Sequence, residues 1–296
     1  MRPVWADVDL SAISANVAAL RQAASPARMC AVVKADGYGH GAGPGARAAR
    51  AGGADSLAVA LVSEGAELRD ALIEAPILVL SQASPDELED LVASDLGATV
   101  YTPEGVKALA RAAVDAGRED RPVRVHLKVD TGMHRVGAQP AEVVDLALAV
   151  VAAPGLALAS VFTHCAVADE PDNPFTSEQL ARYEQVLAEL ARAGVDVPMR
   201  HAANTAGAIA HPDARYDLVR CGIGIYGLAP SAAVAGRVHL RPALTLRARV
   251  SHVKQVAAGE GLSYGLRYRA GSDTTIATVP VGYADGYQRA FTNTAQ

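Results

Sequence analysis

Cysteine is scarce. Cys30, Cys165 and Cys221 are the three in 296 residues, an odd number set far apart. They lack the paired spacing of a metal site and give no disulfide framework, which fits a reducing compartment. Positive charge is not in excess either. A net charge of −5 favours solubility and argues against a nucleic-acid footprint. No apolar run is long enough to span a membrane. The N-terminus, MRPVWADVDLSAISANVAALR, has the pattern of neither a signal peptide nor a transit peptide. The expected location is therefore the cytoplasm, with neither nucleic acid nor membrane as a partner. Internal repeats and low-complexity segments are also missing. A metal-dependent barrel hydrolase using His164, His201 and Asp130 as ligands would need a His-x-His pair after its first strand, and there is none. No metal is expected.

What the chain does have is alternation. Half of it is hydrophobic and a fifth charged, as in an ordinary soluble globular protein of one or two domains. Asp9 or Ser11 can cap a first helix running to about Ala23, with Ile13, Val17 and Leu20 on one face. Short β-rich runs follow at Met29–Lys34, Leu57–Leu61, Ile77–Leu80, Ala98–Tyr101, Val123–Val129, Leu156–Thr163, Val197–His201 and Tyr216–Arg220. Helical stretches rich in Ala, Leu, Arg and Glu lie between them. Eight strands alternating with helices predict an α/β fold, a parallel (β/α)8 barrel of the TIM type. A doubly wound open sheet is the alternative, usually with fewer strands. The barrel is assigned to residues 1–236. From 237 to 296 helical pattern is lost, and Leu244–Val256 and Thr274–Val281 read as strands of a mostly β C-terminal domain. With roughly two to four strands written when the chain reaches Gln296, that domain is expected to be incomplete.

A barrel places its chemistry at the C-terminal ends of its strands. The run Met29–Val33 ends on Lys34 and breaks into the glycine-rich AlaAspGlyTyrGlyHisGly. A lysine losing hydration at the tip of an apolar strand is suited to forming a Schiff base with a carbonyl; alternatively it marks the strand's exit into water. Arg135, in VDTGMHRVG, suits a carboxylate or a phenol, or is a solvated loop arginine. Lys128 sits inside an apolar strand and needs a partner if buried. His164 and His201 end two strands and are either structural or catalytic. Asn204-Thr205 opens a short helix whose free N–H groups suit a phosphate or form an ordinary cap. Gly222-Ile223-Gly224 follows the eighth strand, where barrels commonly hold phosphate, though its order is not the dinucleotide fingerprint. Arg220, aimed inward, is placed to hydrogen-bond a cofactor ring nitrogen. Tyr264, in GLSYGLRY, reads by itself as a turn aromatic.

Taken together, AVVKADGYGHG, HLKVDTGMHRVG, FTHCA, HAANTAG, VRCGIGIYG, LSYG and PVGYADGY resemble the alanine racemase family along the whole chain and in order. The resemblance implies a pyridoxal 5'-phosphate (PLP) enzyme, a barrel plus a C-terminal β-domain, that interconverts L- and D-alanine by two-base proton transfer and supplies D-alanine for the cell wall. It implies that Lys34 carries the cofactor and is one base. Tyr264 is then the other, reaching the cofactor's opposite face from the second subunit of a homodimer with shared active sites. Arg220 pairs with the ring nitrogen. Tyr38, Asn204, Thr205, Gly222 and Ile223 hold the phosphate, joined by Tyr226. His164 lies beside Tyr264 and Arg220, with His201 in support. Arg135 touches the phenolic oxygen, and Lys128 matches a lysine often carbamylated in the family, which would pair it with Arg135. The substrate is a small amino acid. A decarboxylase of the same barrel type is disfavoured by LSYG with its second base. A non-catalytic PLP-binding barrel should lack that tyrosine. A racemase of broader specificity is the nearest alternative.

Overall fold

The computed structural model describes residues 3–293. Its strands in chain order are β1 (Val4–Val8), β2 (Arg28–Val32), β3 (Ser56–Val59), β4 (Ile77–Val79), β5 (Ala98–Val100), β6 (Val123–Lys128), β7 (Leu156–Phe162), β8 (Arg200–His201) and β9 (Leu218–Cys221). In the C-terminal part β10 (Leu244–Ala248), β11 (His252–Val256), β12 (Gly261–Leu262), β13 (Tyr268–Arg269) and β14 (Thr274–Thr278) follow. The chain divides into two compact units, Asp9–Ala243 and Met1–Val8 with Leu244–Gln296.

The first unit is a closed parallel barrel. Two four-stranded arcs run β4-β3-β2-β9 and β5-β6-β7-β8. One seam is closed by Val79 N–H to Gly97 O (2.9 Å) and Gly97 N–H to Ile77 O (2.7 Å). The other is closed by Asp217 N–H to Arg200 O (3.0 Å) and Arg220 N–H to Ala203 O (2.9 Å). The strands are short, branched and buried, as expected where helices cover the outside. The first helix, Leu10–Ala24, is capped by the Asp9 carboxylate, which accepts the Ala12 N–H at 3.0 Å. Its Ile13, Val17 and Leu20 are buried on the barrel side. The longest helix, Phe175–Arg192, buries Tyr183, Val186 and Leu190.

Inside the barrel the two halves differ in chemistry. Cys30, Val32, Ala58, Leu78 and Leu218 form an apolar cluster. Buried polar groups on β6 to β9, His126, Ser160, His201 and Arg220, occupy the other side.

Several expectations are corrected in detail. The first barrel strand stops at Val32, so Lys34 stands beyond it. The seventh shrinks to two residues, Arg200–His201, and of the segment before it Met199 O accepts the Val161 N–H at 3.0 Å. Leu244–Val256 is not one strand. It breaks at Arg249–Ser251, since β10 pairs antiparallel with β1 whereas β11 pairs with β14. β1 itself, pairing Val4 with Ala248 and Val8 with Leu244, has no counterpart in the sequence reading.

Candidate active site

The Lys34 backbone is unusual. Ala35, Asp36, Gly37 and Tyr38 all have φ between 50° and 61° and ψ between 37° and 55°, one left-handed helical turn. For a residue with a Cβ this conformation costs about 1–2 kcal/mol, so the turn persists because its surroundings hold it. Gly37 N–H donates to Val33 O (2.9 Å) and Gly41 N–H to Asp36 O (2.9 Å). The Asp36 carboxylate accepts the Ala42 N–H at 2.7 Å. Glu64 clamps the entry: its carboxylate accepts Ala35 N–H (2.6 Å), Ala60 N–H (2.8 Å) and Leu61 N–H (3.1 Å). The turn brings the half-buried Tyr38 ring to 5.0 Å from Tyr226, whose hydroxyl donates to Val32 O at 3.2 Å.

Above the C-terminal ends of the strands lies a cavity of about 440 Å³. Lys34, Tyr38, Lys128, Arg135, His164, Asn204, Thr205, Arg220, Gly222 and Ile223 all line it. Tyr226 and His201 stand behind that wall, both buried. Tyr264 belongs to the other unit, where it is 90% exposed.

Arg220 is 3% exposed. It donates to Thr163 O (2.8 Å) and Ala202 O (3.0 Å) and approaches His201 Nδ1 at 2.6 Å and His164 Nδ1 at 3.1 Å. Its guanidinium lies 5.2 Å from the centre of the Phe162 ring, which stacks on His201. Burial, followed by the nearby Arg220 charge, pushes both His164 and His201 well below the usual imidazole range. Both therefore stay neutral and act as acceptors for the guanidinium. Lys128 ends β6 at 5% exposure. Burial first, then the charges of Arg220 and Arg135, brings its amine down to about 8. The loop after β6 folds back on its own strand through Ala138 N–H to Lys128 O (2.9 Å) and Asp130 N–H to Ala138 O (2.9 Å), returning Arg135 to the cavity. Gln179 pins the next loop, accepting Ala166 N–H at 2.8 Å and donating to His164 O at 3.1 Å.

The far side of the cavity is a cradle of small groups. Thr205 Oγ1 accepts Gly222 N–H (3.0 Å) and Gly224 N–H (3.4 Å), and Asn204 caps the short helix by accepting Gly207 N–H (3.0 Å). A Cβ on Gly222 would stand 2.5 Å from the Tyr38 hydroxyl, so glycine there leaves the space Tyr38 needs. The cavity wall carries Lys34, Lys128, Arg135 and Arg220 against the one carboxylate of Asp169. Four cationic side chains with the Tyr38 and Thr205 hydroxyls fit an anionic ligand bearing a phosphate and a phenolate. Glu64, Gln179, His126 and Ser160 were missed in the sequence. Glu64 had a signal, an acid in the first turn of the helix Val62–Asp70.

Fold and site together define a barrel protein whose cavity fits an anionic, phosphate-bearing ligand and is lined by a lysine. The family model for the alanine racemase N-terminal domain matches residues 8–230, and that for the alanine racemase C-terminal domain matches residues 243–296. The chain belongs to the alanine racemase family, PLP-dependent enzymes that interconvert L- and D-alanine. It is 51% identical to the alanine racemase of Symbiobacterium thermophilum over 100% of this chain and 78% of that one. Among solved structures it is similar to the alanine racemase from D-cycloserine-producing Streptomyces lavendulae, at 40% identity and a TM-score of 0.90 over 98% of this chain and 76% of that one. It is also similar to the alanine racemase from Bacillus anthracis with bound L-Ala-P, at 36% identity and a TM-score of 0.85 over 97% and 74% of the two chains.

Proposed function

We propose that this chain interconverts L- and D-alanine with PLP through two bases, Lys34 and Tyr264. What carries the reading is the gathering of Lys34, Arg220 and the Tyr38–Thr205–Gly222 cradle on one cavity. Tyr38, Asn204, Thr205, Gly222 and Ile223 would hold the phosphate, with Tyr226 behind Tyr38, and Arg135 would meet the phenolic oxygen. Arg220 would face the ring nitrogen. The cofactor supplies an electron sink that acidifies the proton at Cα.

The chain's own groups do the rest. Lys34 takes and returns the Cα proton on the face of the D-isomer. Tyr264 does the same on the face of the L-isomer, presented by a second copy of the chain, in keeping with its 90% exposure in its own unit. A guanidinium cannot readily hand a proton to a ring nitrogen. Less charge is then drawn into the ring, which favours return of the proton to Cα over transamination. Lys128, beside Arg135 and partly neutral near pH 8, is positioned for carbamylation and pairing with that arginine. Among the described residues no helix is long and apolar enough to cross a membrane. We place the enzyme in the cytoplasm as a homodimer, supplying D-alanine for peptidoglycan.

The test is an enantiomer-resolved assay of the purified chain with PLP, offering L-alanine, L-serine and larger amino acids in parallel. D-alanine formed fastest by at least about tenfold in kcat/KM supports the reading. Equal rates on the larger substrates would favour a broader-specificity racemase, and no D-product from any of them would leave a PLP-binding barrel.

A further inference from the structure

Behind Arg220 a line of buried polar side chains crosses four neighbouring strands, and its direction can be read from the Arg220 end. A guanidinium has donors only and keeps its protons. Arg220 Nη1 lies 2.6 Å from His201 Nδ1. That nitrogen must accept, so the proton of the neutral His201 ring is on Nε2. His201 Nε2 lies 2.8 Å from Ser160 Oγ and donates to it. The hydroxyl's own proton then goes to His126 Nδ1, 2.6 Å away. His126 in turn is neutral with its proton on Nε2. Burial supports this, bringing the His126 ring down to about 3.

The fold is shaped to make this line. β6 and β7 pair in register up to Val125–Leu158, then skip Ala159 and resume at His126–Ser160. Such a bulge re-aims side chains, and here it sets His126 and Ser160 opposite one another. Gly97 makes room for the ring, since a Cβ there would stand 2.8 Å from His126 Nε2. Phe162 covers His201 face to face, with ring centres 4.7 Å apart and planes inclined by 5°.

We propose that His126 is a positioning residue for Arg220: by accepting the Ser160 proton it makes Ser160 accept from His201, and so keeps the His201 lone pair aimed at the guanidinium that lines the cavity. Without that acceptor a fraction of the Ser160 hydroxyls turns to donate to His201 Nε2, against the preference that Arg220 sets. In that fraction the His201 proton sits on Nδ1, where it faces the N–H of Arg220, and two donors repel. Nη1 then turns from His201 while Nη2 stays on Thr163 O and Ala202 O, which tilts the guanidinium on the cavity wall. The effect on turnover rests on the reading of Arg220 as the group facing the cofactor ring, whereas the effect on the imidazoles does not.

The experiment uses the full chain with PLP, labelled with 15N-histidine, and reads ring tautomers from long-range proton–nitrogen correlation spectra. In the unaltered chain His126 and His201 are expected as single neutral Nε2–H tautomers, unchanged between about pH 5.5 and 8. His126→Leu is expected to give His201 a mixture of tautomers and to lower kcat about tenfold with KM nearly unchanged. His126→Asn, whose Oδ1 replaces Nδ1 as the acceptor, restores both. Ser160→Ala breaks the same link with a smaller change in volume and serves if the leucine variant does not fold; it should shift the His201 Nε2–H signal and lower kcat similarly. Unchanged His201 signals in His126→Leu and Ser160→Ala would overturn the proposal. So would an asparagine variant as impaired as the leucine one, since packing rather than the acceptor would then matter. Shifted signals with unchanged turnover would uphold the relay and count against the catalytic place given to Arg220.

Discussion

Gly222 and Tyr38 are 184 positions apart in sequence, and at the cavity wall one exists at the expense of the other's neighbour. The Tyr38 hydroxyl occupies space that a Cβ on residue 222 would enter at 2.5 Å, and the Tyr38 ring is backed by Tyr226. Gly222→Ala must therefore push the hydroxyl off the cradle. Its φ of −107° lies outside the left-handed region, and the close contact a Cβ would make is with the Tyr38 side chain rather than with backbone. The expected outcome is PLP affinity weakened by about tenfold or more, read by absorbance titration, with Tm nearly unchanged. At this scale much was legible. Lys34 was visible because an apolar run ended on it, and Arg220 because the eighth strand did. His126 and Ser160 were not: His126 is one of three polar residues alternating along β6, Ser160 is the one polar residue of β7, and the two, 34 positions apart, meet through a bulge that periodicity does not reveal.

The element that aims Lys34 is a left-handed turn, and three of its four residues carry a Cβ. Its glycines announced a loop, but the hand of the turn was hidden, because it is imposed from outside by Glu64 and by the strand ends. Glu64→Ala removes one carboxylate that satisfies three N–H groups. Charge-assisted bonds to partly exposed groups lead us to expect a loss of about 2–3 kcal/mol in urea unfolding, with Glu64→Gln losing less. A loss under about 0.5 kcal/mol would mean that the turn holds without Glu64. The eight barrel strands were legible as apolar runs bounded by helices. β1 was not, because its middle residues are exposed and its partner lies more than 200 positions away, leaving neither a buried run nor a local turn to signal it.

For the whole molecule, three imidazoles held neutral, His126 and His201 inside the barrel and the half-buried His164 on the cavity wall, set a limit on acid stability. His126 falls from the usual 6.5 to about 3, and His164 and His201 fall well below 6.5. Below pH 6.5 the unfolded chain binds protons that the folded chain refuses. Stability from these groups is thus fully present above about pH 6.5 and is lost as pH falls toward 3. The slope for three such groups approaches about 4 kcal/mol per pH unit once the unfolded histidines are protonated. Urea unfolding from pH 7 to 5 should show stability falling with accelerating slope, and His126→Asn should make that slope shallower. A flat profile would mean that the buried rings accept protons.

The two-base assignment is tested most directly by proton exchange at Cα in deuterated water. The chain with PLP is incubated with D-alanine or L-alanine, and the two enantiomers are separated and weighed. Deuterium is expected in both. Tyr264→Phe is expected to exchange the Cα proton of D-alanine through Lys34 without inverting it, and Lys34→Ala to leave D-alanine unlabelled. Full inversion by the Tyr264→Phe chain, or labelled D-alanine recovered from Lys34→Ala, would contradict the two-base assignment.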